Sequence, residues 1–445
     1  MHFSTDYTLE NFIIGSEWGR LPAPVQTRLK GCFIDLMGAL VTGSRSKQFS
    51  VGLQLAERLF GPGDIPVIGS RRRFSFIGAA AAMGHSSNAF DIDDGHNLIR
   101  AHPGTAVIGP VLAEAYAKNV SRNTFLNALN CAYEACIRGG AAIMEAYQNP
   151  HSTGTFGPMG IAAGVGKLRG YTKERLNNVL SVADFNAPIV PGFRSVGYPS
   201  MNKDGVPFGV MVGCLALEED LCGFEGSKNF LEEDVLKKYL NGLGERYEVM
   251  NLYFKPYPCC RWTHAPIDAC LELLRQYDLR PEDVAHITVR TFERATGLSR
   301  IIPATVDEAQ YNIAYPVAAA VVRGGFGLPE LTPECFSDPA VLAMMQKLSF
   351  EVDDAFEEAF PGKRYAQAEL ETKDGRRLLS SVCEPRGEAE EQIGPDWLIE
   401  KFTRLTGPLL AQENRERFLT LLMAEEDCPL RELADTVNAG LSPAD

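Results

Sequence analysis

The sequence lacks any C-x-x-C pair, although it carries 11 cysteines in 445 residues. That excludes the usual structural zinc sites. The adjacent Cys259 and Cys260 suit neither such a site nor a disulfide to each other. An odd number of scattered thiols fits a reducing compartment. No apolar run approaches the roughly 18 residues of a membrane-spanning helix. The most apolar long stretch, 206–217, is too short and too rich in Gly. The N-terminus lacks the basic start and apolar follow-on of a secretory leader, so a cytoplasmic location is expected. Positive charge is in deficit: 43 Lys and Arg stand against 57 Asp and Glu, a formal net charge of −14. A polyanion would be repelled on average, so neither nucleic acid nor a membrane is an expected partner. A small acidic substrate in a local basic pocket is compatible with that balance. The remaining composition, 45% hydrophobic and 22% charged, excludes wholesale disorder. The length implies two or three domains.

Helical periodicity dominates the first ~260 residues. Residues 21–40, 76–90, 105–117, 123–147, 157–168 and 206–218 carry apolar or small residues at helical spacing. Gly157, Gly160 and Gly164 invite close helix–helix approach, and Thr172 is positioned as an N-cap. From about residue 266 the character changes. After a helical stretch at 267–277, the alternating, β-branched run 284–292 reads as a strand. Residues 366–372 and 377–382 flank Lys373-Asp374-Gly375, a hairpin signal. Helices are predicted at 311–323 and 338–348, and a polar loop at 384–392. The tail returns to helices at 397–405, 412–423 and 430–437. Such a tail could rejoin the N-terminal helices, giving one domain built from 1–265 and 395–445 and an inserted α+β domain over 266–394.

Several motif matches fail. Gly164-x-Gly166-x-x-x-Gly170 has one residue too many for a dinucleotide fingerprint and follows no strand. The Gly192–Gly197 stretch around Ser195 misses the nucleophile elbow by one position. Asp91-Ile92-Asp93-Asp94-Gly95 begins like a calcium loop but places His102 where the bidentate Glu belongs. That same segment is nevertheless the chemically densest of the chain. Asp91, Asp93, Asp94, His96, Arg100 and His102 fall within twelve residues and end in His-Pro-Gly. Charges at the end of a buried helix are costly unless paired or used. Three further polar segments enter small-residue helices: His151–Gly157, Tyr198–Gly205 with Lys203, and Lys255–His264. Each alone reads as a cap, a snorkelling lysine or a core histidine. Together they could converge His, Lys, Arg and Asp on one cavity.

As a set these segments resemble the MmgE/PrpD family, whose members include 2-methylcitrate dehydratase, cis-aconitate decarboxylase and iminodisuccinate epimerase. The resemblance runs over most of the chain, in order and spacing. It implies a mainly α fold with an α+β part: a large helical domain from both termini, an inserted α+β lid and a homodimer. It implies no metal and no organic cofactor. Residue by residue it aligns Asp91, His102, Lys203 and His264 with the family's catalytic groups and His151 with its histidine before the Gly-rich helix. Gly95 departs from the Thr common in the dehydratase and decarboxylase branches, and Asp204 departs from the usual apolar residue after the lysine.

The shared chemistry breaks a bond at the carbon next to a carboxylate, and the resulting carbanion-like species needs cationic stabilisation. His102 and Lys203 are the expected proton-transfer groups, Asp91 tunes one of them, and His264 serves a leaving group. Arg100, Arg194, His151 and His96 are the expected substrate-binding residues. The leading expectation is a 2-methylcitrate dehydratase-like hydro-lyase acting on a di- or tricarboxylate. An iminodisuccinate-type epimerase and a cis-aconitate-type decarboxylase are the alternatives. A non-catalytic metabolite-binding homodimer and a metal-dependent hydrolase are the readings from other classes.

Overall fold

The computed structural model describes residues 8–148 and 151–442. Residues 1–7, on which the reading of the N-terminus rests, lie outside it. The helical part is built on Ala23–Gly43, Pro103–Lys118, Arg122–Tyr147, Thr153–Arg169 and Val206–Leu221. The Gly-rich helix Thr153–Arg169 packs closely on two neighbours. A Cβ on Gly160 would lie 2.7 Å from Val107 and 2.8 Å from the Ala132 carbonyl, so only Gly permits this approach. Thr172 caps Lys173–Phe185, accepting from the Arg175 amide at 3.4 Å.

The C-terminal helices Pro395–Thr406, Gln412–Met423 and Leu430–Gly440 join this body. Leu398, Phe402, Phe418 and Val437 belong to the same apolar core as Phe33, Leu36 and Phe125. A buried ion pair crosses that seam, with Lys401 Nζ donating to Asp35 Oδ1 at 2.5 Å and to the Ile92 carbonyl at 2.6 Å. Burial pushes the Asp35 carboxyl up and the Lys401 ammonium down.

A second apolar core lies between residues 257 and 370. Its sheet has four strands in the order Leu348–Val352, Val284–Thr291, Ala366–Thr372, Arg377–Leu379. The first pair is parallel and the others antiparallel. Helix His264–Gln276 packs on this sheet, and Ala314–Arg323 packs in turn on that helix. The fold is therefore mainly α with an α+β part. Several elements depart from the sequence expectations, among them the short helix Leu9–Gly15 and the two-stranded pairs 62–66/73–74 and 95–96/252–253. Residues 348–352 form an edge strand where the helix of 338–348 was expected to end, because the run Leu-Ser-Phe-Glu-Val alternates with period two. Lys47–Leu59 is a further helix, amphipathic and half-buried. Among the described residues no helix is long and apolar enough to cross a membrane.

Candidate active site

The Asp-rich segment folds as a tight loop between helix Phe76–Ser87 and helix Pro103–Lys118. Its end explains His-Pro-Gly. His102 is the N-cap residue and Pro103 takes the first helical position, where a missing N–H costs nothing. Gly104 gives its amide to Asp94 Oδ1 at 3.0 Å, and a Cβ there would meet Asp94 Oδ2 at 2.3 Å. Asp94 also accepts from the Tyr133 hydroxyl. Burial nevertheless pushes its carboxyl up to about 7. Asp91, Arg100 and Lys203 have φ of 50°, 51° and 39°. Left-handed backbone at non-Gly residues is uncommon and clusters where geometry is held for function.

These constraints aim His102 into a cavity of about 110 Å³ between the helical part and the second core. Nδ1 of His102 faces Asp93 Oδ2 at 3.0 Å and the Asp94 carbonyl at 2.9 Å. Nε2 faces Asp91 Oδ1 at 3.4 Å and Asp204 Oδ2 at 3.5 Å. Burial works against the imidazolium, but Asp93 and Asp91 outweigh it and raise its pKa to about 9. His102 is thus a charged acid at neutral pH. Asp93 is held below its ordinary value: burial opposes this, and His102 outweighs burial. Lys255 Nζ lies 2.7 Å from Asp91 Oδ1 in a fully buried pair. Asp204 is pushed up by burial despite His102, with Thr153 Oγ1 donating to it at 3.3 Å and Tyr311 at 3.4 Å.

The rest of the wall combines aromatic rings, among them Phe193, Trp262 and Phe360, with four guanidinium groups. Arg100, Arg261, Arg294 and Arg364 all line the cavity. Arg261 is engaged, bonding Glu388 Oε1 at 2.7 Å. Among the described residues, no carboxylate lies within ion-pair distance of Arg100, Arg294 or Arg364. Arg294 rests over the Phe193 ring at 4.0 Å, and Arg364 Nη1 donates to Asn97 Oδ1 at 2.7 Å. The pKa of Arg100 is lowered by burial and then by the like charges of Arg294 and Arg364. Such a cluster favours an anion bearing more than one carboxylate.

The expected site residues divide. Asp91, Arg100, His102 and His151 line this cavity. Lys203 and His264 do not. The buried Lys203 ammonium turns back to the Ala89 carbonyl, to Gln310 Oε1 at 2.5 Å and to Asp307 at 3.4 Å, and so pins the turn before Asp91. His264 donates from Nε2 to the Cys259 carbonyl at 3.1 Å and accepts from Arg261 Nη1 at 3.2 Å. Burial and then Arg261 hold it neutral. His96 lies instead against Glu248 at 3.5 Å, and Arg194 lines a separate outer groove with Lys203. Residues with no expected role complete the cavity: Lys255, Asp204, Tyr253, Arg261, Arg294 and Arg364. Tyr253 also accounts for Gly95, since a Cβ at 95 would lie 2.3 Å from the Tyr253 hydroxyl oxygen. The phenol fills the space where a side chain at 95 would stand.

Asp91, Asp93 and His102 present ligand atoms within 4.8 Å of one another, a spacing that could hold a divalent ion. A metal needs the neutral imidazole and free carboxylates. Here the Lys255 ammonium already occupies Asp91 at 2.7 Å, and a cation in that place would repel a divalent ion, so the residues present fit a metal poorly.

The fold and the cavity together define a two-core α/α+β protein with a histidine–carboxylate cluster set beside guanidinium groups in one pocket. Sequence comparison places it further. The MmgE/PrpD N-terminal domain matches residues 8–235 and the MmgE/PrpD C-terminal domain matches residues 257–426. The chain belongs to the MmgE/PrpD family. It is 23% identical over 464 residues to a cis-aconitate decarboxylase of Aspergillus terreus (strain NIH 2624 / FGSC A1156), covering 93% of this chain and 92% of that protein. It is 31% identical over 144 residues to a mitochondrial 2-methylcitrate dehydratase of Yarrowia lipolytica, covering 30% of this chain and 27% of that protein.

Proposed function

We propose that the protein is a cofactor-independent lyase acting at the carbon next to a carboxylate of a small di- or tricarboxylate, with dehydration as its reaction. The observation that carries this reading is the convergence of Arg100, Arg294 and Arg364, without carboxylate partners, on a cavity that also holds a protonated His102 and a buried Asp204. The guanidinium groups bind the substrate carboxylates. Asp204, whose basicity is raised by burial, takes the proton from the carbon beside a carboxylate. The C–H electron pair becomes the new C=C bond as the neighbouring C–O bond breaks. The hydroxyl leaves as water with the proton of His102 Nε2. Lys255 and the arginines stabilise the charge that builds on the activated carboxylate. Lys203 and His264 act as positioning residues, through the Asn88–Ala89 turn and the Cys259–Arg261 turn.

Decarboxylation is the second reading, favoured by the relative whose similarity spans 93% of the chain. It needs a proton donor but no base, so Asp204 would be surplus. A proton-NMR time course in D2O with 2-methylcitrate, cis-aconitate and iminodisuccinate separates the reactions. Alkene formation with loss of the hydroxyl is the expected result, at a rate unaffected by a chelator. Carbon dioxide release from cis-aconitate would replace the dehydratase by the decarboxylase. Exchange with inversion would replace it by the epimerase. Tight binding without turnover of any candidate would leave a metabolite-binding protein.

A homodimer accompanies this reading. Phe185, Ile189, Tyr198, Phe208 and Leu215 are all exposed, with Ile189, Tyr198 and Phe208 lining one groove, and exposed apolar groups of this kind suit a second copy. The dimer is expected in sedimentation velocity at micromolar concentration, and Phe208→Ser with Leu215→Ser is expected to yield monomer. A monomeric wild type would exclude it.

A further inference from the structure

A larger cavity, of about 820 Å³, opens on the opposite side of the segments that carry Asp91 and Lys255. That volume falls within the range of pockets for organic ligands rather than for water alone. Its apolar wall includes Phe90, Tyr257, Phe326 and Trp397, and its cationic wall includes Arg275 and Arg404. Phe90 and Tyr257 are firmly set. Phe90 packs on the second core and on the small Ala39–Ile92–Leu405 cluster, and Tyr257 is buried against His264 with its hydroxyl bonded to Asp268 at 2.7 Å. The two arginines are not committed elsewhere. Among the described residues neither has a carboxylate within ion-pair distance. Arg404 makes one long bond, to the Pro256 carbonyl at 3.3 Å. Glu330 and Glu400 also reach the rim, and Glu330 is occupied by the Gly327 amide at 2.7 Å. The Gly324-Gly325-Phe326-Gly327 loop forms one lip, with little side chain to obstruct entry.

We infer that this cavity is a second ligand site, for an amphipathic organic anion: an aromatic or branched apolar body on the ring wall, and one carboxylate, sulfonate or phosphate between Arg275 and Arg404. Size distinguishes it from the first cavity, at about 820 Å³ against about 110 Å³, so it admits a larger organic body than the compact polyanion proposed for the first. Its floor is shared with the catalytic segments. Phe90 precedes Asp91, and Pro256 and Tyr257 follow Lys255. Lys401, also in the floor, holds the Ile92 carbonyl between Asp91 and Asp93. An occupant therefore touches both chain segments that make the Asp91–Lys255 pair, and acts as an effector of that pair.

The test uses the full chain and anilinonaphthalene sulfonate as the probe, and it needs no turnover. Fluorescence titration measures affinity, and amide hydrogen exchange locates the probe. Slowed exchange is expected in peptides covering 323–330 and 397–409, and in those covering 90–93 and 255–258. Arg275→Gln with Arg404→Gln is expected to weaken binding at least about tenfold, because two charge-assisted contacts are lost. Both substitutions are at exposed side chains and leave the fold intact, which thermal unfolding checks. Arg364→Gln, in the first cavity, is expected to leave the probe affinity unchanged. Unchanged affinity in the Arg275→Gln/Arg404→Gln protein, or protection confined to the exposed apolar face near Phe208, overturns the inference. Because the readout is binding, a failure of the dehydratase reading would leave this result standing, and the reverse holds.

Discussion

Replacing His102 by Gln is expected to lower kcat roughly a hundred- to ten-thousand-fold, the range for removing a positioned acid. The fold should survive, because Gln can still bond the Asp94 carbonyl and the helix start is fixed by Pro103 and Gly104. The pH profile carries the sharper signature. His102 has its pKa raised from 6.5 to about 9, so its acid form is present at neutral pH and is lost as pH rises. The alkaline limb of kcat/KM is expected near pH 9. Asp93→Asn removes the largest influence holding the proton, so the limb is expected to move down toward pH 6.5. The same shift links to stability. A group whose pKa is raised on folding stabilises fully below its unfolded value and loses that contribution as pH rises through the folded value. Wild type should therefore lose stability between pH 6.5 and about 9 relative to His102→Gln. A pH profile of Asp93→Asn identical to wild type would remove His102 as the acid.

Lys255→Met and Lys203→Met are expected to fail in different ways. Lys255 faces the cavity and forms a 2.7 Å pair with Asp91. Its loss leaves the buried Asp91 carboxylate without its nearer cation, with only His102 at 3.4 Å remaining, and removes a charge from the transition state. A fall in kcat/KM of at least about a hundredfold is expected, as for removal of one preorganised donor. Lys203 turns away from the cavity and binds backbone carbonyls, Gln310 and Asp307. Its loss is expected to lower the melting temperature and to reduce kcat through the displaced Asp91 loop, with the substrate KM moved less than by Arg364→Gln. Full stability with abolished turnover in Lys203→Met would instead put that ammonium in the chemistry.

Much of the fold was legible because helices with small, apolar faces write a strong period into sequence. The strand Leu348–Val352 was not, since five alternating residues beside a helix end carry a weak signal. The site was legible where its residues are local. Asp91, Arg100 and His102 sit in one dense segment, and His151 opens a Gly-rich helix. Lys255 and Asp204 stood in segments already singled out, beside residues given the roles instead. The displacement by one neighbour, from Asp204 to Lys203, reflects backbone direction: Lys203 has φ of 39°, and the side chains at 203 and 204 leave the turn on different sides. Arg294 and Arg364 carried no local signal at all. Each is one of several arginines scattered through the second core's sequence, and only tertiary folding brings them to Arg100.

On the proposed reading, guanidinium groups without carboxylate partners make this cavity a receptor for a small polycarboxylate. Calorimetric titration with tricarballylate tests it directly, since that tricarboxylate has neither hydroxyl nor double bond and cannot turn over. Measurable binding to the wild type is predicted, with affinity at least about tenfold weaker in Arg364→Gln and in Arg294→Gln. Tricarballylate bound equally well by wild type and both variants would contradict it.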